Sequence, residues 1–201
     1  MQATDVLYEE HRVIMKVLEC LQKIVDEAEQ NGKLNAESAQ TALDFFKNFA
    51  DGCHHSKEEA RLFIVMQENG IPRQGGPIGV MLMEHDDGRS FVRGMAREIA
   101  KAAAGDATAL QSFSQNAGDF IHLLSAHISK EDQVLFPMAG QILNEHAATD
   151  LMNDFRQIET DAGGQRHNEY VSIAKNLCDR YGVAFVDAAQ IHTINSEFMS
   201  D

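Results

Sequence analysis

The chain has no tryptophan and only three prolines in 201 residues. Scarce proline removes the strongest helix breaker, and alongside many Ala, Glu, Gln, Met and Leu it favours an all-helical protein. Cys20, Cys53 and Cys178 are odd in number and show no C-x-x-C spacing, which argues against a disulfide framework and a zinc knuckle. Cys53 beside His54 has two readings, a soft ligand or redox-sensitive thiol and a small buried residue, and the second is favoured. Basic clusters are also missing. With a formal net charge of -14, neither nucleic acid nor an anionic membrane surface is an expected partner. No apolar run approaches the length of a membrane span, and the N-terminus Met-Gln-Ala-Thr-Asp has neither a basic region nor an apolar leader core, so the expected location is cytoplasmic.

What the chain does contain is one stretch written twice. Residues 54 to 63 read His-His-Ser-Lys-Glu-Glu-Ala-Arg-Leu-Phe, and residues 127 to 136 read His-Ile-Ser-Lys-Glu-Asp-Gln-Val-Leu-Phe. Superposed without a gap, they align His54 with His127, Lys57 with Lys130, Glu58 with Glu131, and Leu62-Phe63 with Leu135-Phe136. Residues four apart on a helix project from one face, so the imidazole and carboxylate of each H-x-x-x-E reach one point in space. A single copy is a common feature of a solvated helix face, and an ungapped second copy makes chance a poor explanation. Mixed nitrogen and oxygen donors suit iron, manganese or zinc better than calcium or magnesium.

Apolar periodicity places these motifs on four long amphipathic helices. The first is expected from Thr4 or Asp5 to about Gln30, with Leu7, Ile14, Leu18, Leu21, Val25 and Ala28 on one stripe and His11 filling the gap in it. The second runs from after Asn35 to Asn69-Gly70, its stripe passing through Leu43, Phe46, Ala50, His54, Glu58, Leu62 and Val65. A breaker-rich loop over 70–79 precedes the third, expected over 80–104 with His85 between Met81 and Gly88. The fourth, expected over 107–143, carries Phe113, Ala117, Phe120, Leu124, His127, Glu131, Leu135, Met138 and Ile142, and Pro137 is expected to bend it or free a carbonyl. Short connections make this an up-and-down antiparallel four-helix bundle over residues 1–144. In that arrangement the histidines of all four stripes lie at one level. Residues 145–201 are expected to form a C-terminal helical extension packing on the bundle, with helices over 146–160 and 165–181 and a weakly patterned last 19 residues.

Burying His11, His54, Glu58, His85, His127 and Glu131 without a partner would cost on the order of 1–3 kcal/mol for each unpaired polar group. A metal removes that penalty, and the set is too large for a closed four-coordinate zinc site. Two metals, each held by two histidines and bridged by both glutamates, fit it.

The pattern H, H-x-x-x-E, H, H-x-x-x-E, carried by His11, by His54 with Glu58, by His85, and by His127 with Glu131, resembles that of the hemerythrin-like cation-binding domains. The resemblance spans residues 4–144 and includes Leu135-Phe136-Pro137. It implies a centre of two non-haem iron ions, oxo- or hydroxo-bridged. Oxygen-carrying hemerythrins have H-x-x-x-H on the third helix, whereas Met81 and Arg89 flank His85 here at that spacing. A fifth histidine is thus expected to be missing, leaving an open position that favours reaction over reversible carriage. Those proteins also end in H-x-x-x-x-D, which Asp132 would satisfy. Glu131 is favoured because it matches Glu58 in the repeat. His55 with Glu59 is a competing pair that the Leu-Phe register opposes.

Among other residues, Tyr8 could donate to a metal-bound species, although an ordinary half-buried tyrosine is favoured. Glu159 and His167 could fold over the site, although simple packing of the appendage is favoured. Glu9, Glu10, Glu84 and Asp86 read as a solvated acidic face, His122 as a surface residue, and His146 and His192 as exposed. The leading functional reading is binding or sensing of dioxygen or a related small molecule such as nitric oxide. The alternatives are an enzyme consuming peroxide or reactive nitrogen species, and iron storage or delivery. The sequence shows nothing like the cysteine-rich N-terminal segment of the iron-sulfur repair relatives, so that role is not expected, and it has no E-x-x-H of the ferritin-like carboxylate proteins.

Overall fold

The computed structural model describes residues 3–161 and 166–185. The described residues form six helices and no strand. α1 spans Ala3–Asn31. α2 is a continuous helical rod over 36–68, started by the Asn35 side chain, which accepts from the Ser38 N–H at 3.1 Å. α3 is Pro77–Ala103, beginning three residues before the expected start because Pro77 occupies the first helical turn, where a missing N–H costs nothing. α4 runs over 107–142 from an Asp106 cap whose carboxylate accepts from the Thr108 and Ala109 N–H groups. α5 is Glu145–Asp161 and α6 is Arg166–Tyr181. The last 19 residues and His192 lie almost wholly outside the described residues. No helix among the described residues is long and apolar enough to cross a membrane.

Two segments of α2, Phe46–His55 and Glu58–Leu62, and one of α4, Glu131–Leu135, are π-helical. The wider π turn shifts the register of everything that follows it. Beyond it the core positions are Phe63 and Met66, with Val65 only half-buried, and likewise Phe136 and Ala139 replace Met138 and Ile142. Each repeat thus carries the same displacement. Pro137 follows the α4 π turn directly, so the ladder interruption that proline requires is already present.

The apolar core is divided in two. One cluster gathers Ile14, Leu21, Phe45, Phe49, Phe113 and Met95 with Tyr170, Ala174 and Leu177 of α6. The other gathers Leu7, Leu62, Phe63, Met81 and Phe136 with Leu151 and Phe155 of α5. On every one of the first four helices the motif histidines fall between the two clusters. Cys20 and Cys178 face each other across α1 and α6 as free thiols, sulfur to sulfur 3.5 Å.

Candidate metal centre

Between the two cores the six residues picked out by their spacing come together. His11, His54, Glu58, His85, His127 and Glu131 are each no more than 1% exposed. One group of ligand atoms comprises His11, His54, Glu58 and Glu131, and a second comprises His55, Glu58, His85 and His127, each within 4.8 Å of one another. Glu58 spans the two, with Oε1 3.5 Å from His54 Nε2 and Oε2 3.5 Å from His85 Nε2. Glu131 does the same with one oxygen, Oε2 lying 3.3 Å from His11 Nε2 and 3.2 Å from His127 Nε2.

The expectation of a missing fifth histidine is corrected. His55 stacks on His85 with ring centroids 3.8 Å apart and brings a nitrogen into the second group. The imidazole comes from α2, beside His54, instead of from α3. A strict 3.6-residue period turns neighbouring residues to different faces. The π turn ending at His55 lets both face inward.

Five carboxylates surround the imidazoles, each on a ring Nδ1. His11 contacts Asp132 at 2.6 Å, His54 contacts Glu10 at 3.0 Å, and His55 contacts Asp51 at 3.3 Å. His85 contacts Glu59 at 2.7 Å, and His127 contacts Glu84 at 2.8 Å. Carboxylates on the far nitrogen fix ring orientation and raise basicity at Nε2, the arrangement usual behind metal-binding histidines. Asp132 and Glu59, the competitors for the ligand role, both face a ring Nδ1, on His11 and His85. Glu10 and Glu84 correct the reading of a solvated acidic face, whereas Asp86 is 79% exposed, as expected.

This outer shell is duplicated too. Glu10-His11 on α1 matches Glu84-His85 on α3. Glu10 holds His54 of the first repeat, and Glu84 holds His127 of the second. The residue after each inward glutamate, Glu59 or Asp132, holds the histidine of α3 or α1. The repeat lysines complete the scheme, Lys57 pairing with Glu10 and Lys130 with Glu84. Symmetry fails at one inner position, where His55 in the first copy stands opposite Ile128 in the second. It also fails at the lysines. Lys57 is fully buried and reaches Glu159 of α5 at 2.5 Å, while the Lys130 side chain is 43% exposed.

The appendage does fold over the site. His167 is buried, with Nδ1 3.4 Å from Glu10, and Glu159 lies beside Lys57. Cys53 completes a group with Glu10, Glu159 and His167. The Lys57 ammonium is the cation of that group, and burial pushes the Cys53 thiol up to about 12, so Cys53 is a buried thiol and no ready thiolate. Tyr8 donates to the Asp132 backbone carbonyl at 3.0 Å, supporting the loop of contacts around His11. His122 and His146 are exposed, as expected.

Charge is unevenly held. Burial, then the neighbouring Glu131, pushes Glu58 well above the ordinary carboxylate range. Burial alone would raise Glu131 as well, but His127 and His11 outweigh it and hold it low. Burial lowers His54 to about 4, with the His11 charge adding to it. Burial opposes protonation of His11, yet its hydrogen bond to Asp132 and the Glu131 carboxylate facing it lift it to about 9. Glu10 stays well below its usual range because Lys57, His167 and His54 overcome the burial penalty.

His11 Nε2, both Glu58 oxygens and both Glu131 oxygens are buried without a hydrogen-bond partner among the described residues. Native proteins leave few such atoms, and each costs about 1–3 kcal/mol. Five of them converge on one spot rich in imidazole nitrogen and carboxylate oxygen. That donor set fits transition-metal ions.

Comparison with known proteins agrees. Residues 2–139 match the hemerythrin HHE cation-binding domain, and the chain belongs to that family of metal-binding proteins. It is 21% identical over 157 residues to uncharacterized proteins of Mycobacterium bovis and Mycobacterium tuberculosis, an alignment covering 78% of this chain and 61% of theirs. The chain thus spans about three fifths of the length of those relatives. It is also 33% identical over 93 residues to the iron-sulfur cluster repair protein YtfE of Dickeya chrysanthemi, covering 43% of this chain and 40% of that one. No solved structure matches.

Proposed function

We propose that this protein holds two non-haem iron ions and binds or senses dioxygen or nitric oxide. The five unpartnered ligand atoms carry the reading. His11 and His54 would hold one ion and His55, His85 and His127 the other, with Glu58 and Glu131 shared. The iron pair would supply reversible redox and ligand binding. The chain's own contribution is to orient each imidazole through its carboxylate and to exclude bulk water by burial. The first four helices are read as an up-and-down bundle over residues 1–144, and 145–201 as an extension that closes the Lys57 side.

The two-imidazole half is the natural place for an incoming small molecule, because Ile128 takes the position His55 fills in the other half. Iron-loaded protein titrated anaerobically with nitric oxide should therefore bind about one equivalent, with a change in the ferrous absorption. Ile128→His should retain iron and lose that binding. Retained nitric oxide binding in Ile128→His contradicts the asymmetric assignment. Turnover of peroxide or reactive nitrogen species is the second reading, supported by the partial likeness to the repair protein. Sustained peroxide consumption by the loaded protein, with the ferrous form regenerated by an added reductant, would favour it.

His55→Ala should lower bound metal per chain, while His122→Ala should leave it unchanged, as read by elemental analysis after gel filtration. Unchanged metal in His55→Ala would return the site to four histidines.

A further inference from the structure

A cavity of about 390 Å³ opens between α2, α3 and α4 and ends on the metal centre. Its inner residues include His55 and His85, both buried, and its walls are apolar, formed by Phe46, Val92, Phe120 and Leu124. Gly88 lines it as well, and its missing side chain leaves the Phe120 ring, 3.5 Å from where a Cβ would stand, facing the space. The size lies within the range of about 300–1,000 Å³ usual for small-molecule sites.

Charge at this cavity runs against the rest of the molecule. The chain is strongly acidic, yet exposed Lys47 and Arg93 border the opening, and neither has an ion-pair partner among the described residues. The acids of the lining are already committed. Asp51 pairs with Arg89 at 2.8 Å and with His55, and Glu84 pairs with Lys130 and His127. An apolar interior below two uncommitted cations matches a molecule with an apolar body and an anionic head. Arginine's planar fork and lysine's point charge both bind carboxylates.

We infer that this cavity binds an amphipathic carboxylate, its head on Lys47 and Arg93 and its apolar body lying toward the His55–His85 pair. The inference rests on the metal reading only for its consequence, that an occupant covers the His55–His85 edge of the centre. Binding itself depends on the cavity and the two cations.

The test is calorimetric titration of the full chain, as purified, with decanoate, and with decanol and acetate as probes lacking the head or the body. Decanoate should bind saturably at one site per chain, at least about tenfold more tightly than decanol or acetate, since one tenfold step corresponds to a single modest ionic contact. Reversing both cations in Lys47→Glu/Arg93→Glu should weaken decanoate by a similar factor, and Ala96→Phe, at an exposed lining position, should weaken it by narrowing the entrance. Both variants alter exposed residues, and unchanged far-UV dichroism establishes that they fold. Absence of saturable binding overturns the inference, as does equal affinity for decanol or insensitivity to the charge reversal. Failure of the metal reading is seen separately, in metal content, and leaves these outcomes unchanged.

Discussion

Lys57→Met is expected to destabilise the metal-free protein by about 3–5 kcal/mol, the usual cost of stranding a buried ion-pair partner. Lys130→Met, at the matching position of the repeat, should cost less than about 1 kcal/mol. The two lysines do the same job on paper, each neutralising the carboxylate that holds its own repeat's histidine. They differ in solvent. Removing Lys57 leaves Glu10, 1% exposed, among imidazoles with no full positive charge beside it, and leaves Glu159 facing it across the gap. Removing Lys130 lets water reach Glu84, whose side chain is 13% exposed. Urea unfolding of both variants measures the contrast, and equal small losses would mean that the buried network contributes little. Lys57→Arg should rescue only in part, because a planar guanidinium fork presents its donors to Glu10 and Glu159 in a different geometry from the ammonium.

The second large effect changes sign with metal. Glu58→Met should stabilise the metal-free chain by about 1–3 kcal/mol, since it removes two buried oxygens that have no partner and replaces them with a side chain of similar length. The same substitution should weaken metal binding by more than about 100-fold, because outer partners alone alter affinity 10–100-fold and Glu58 faces both halves of the site. Chelator competition and thermal unfolding with and without metal give the two numbers. A loss of stability in the metal-free form would show that Glu58 is held by the protein itself and is no waiting ligand. The opposition follows from coupling between metal binding and folding.

Much of this was legible in the residues. The stripes of α1 and of the first half of α2 fall on buried positions, and the gapless repeat leads directly to His54, Glu58, His127 and Glu131. His11 and His85 stand out because each interrupts an apolar stripe at the right level. What was not legible follows from two physical causes. The π turns break the 3.6-residue period, which sets the repeat register against His55 and puts Val65 and Met138 among the expected core positions. The outer carboxylates Glu10 and Glu84 were hidden because each meets its histidine only when a second helix brings it, a long-range contact that periodicity does not report. A local signal did exist, since Glu-His occurs at both 10–11 and 84–85. The asymmetry of Lys57 and Lys130 depends on α5 and α6 covering one side, and nothing within the repeat encodes that.

Metal content per chain on anaerobically purified protein tests the central claim most directly. The account predicts about two iron ions per chain, falling to few or none in His54→Ala and in His127→Ala, because five imidazoles and two shared carboxylates exceed what one ion can use. A single zinc, no metal at all, or full metal retention in both variants would contradict it.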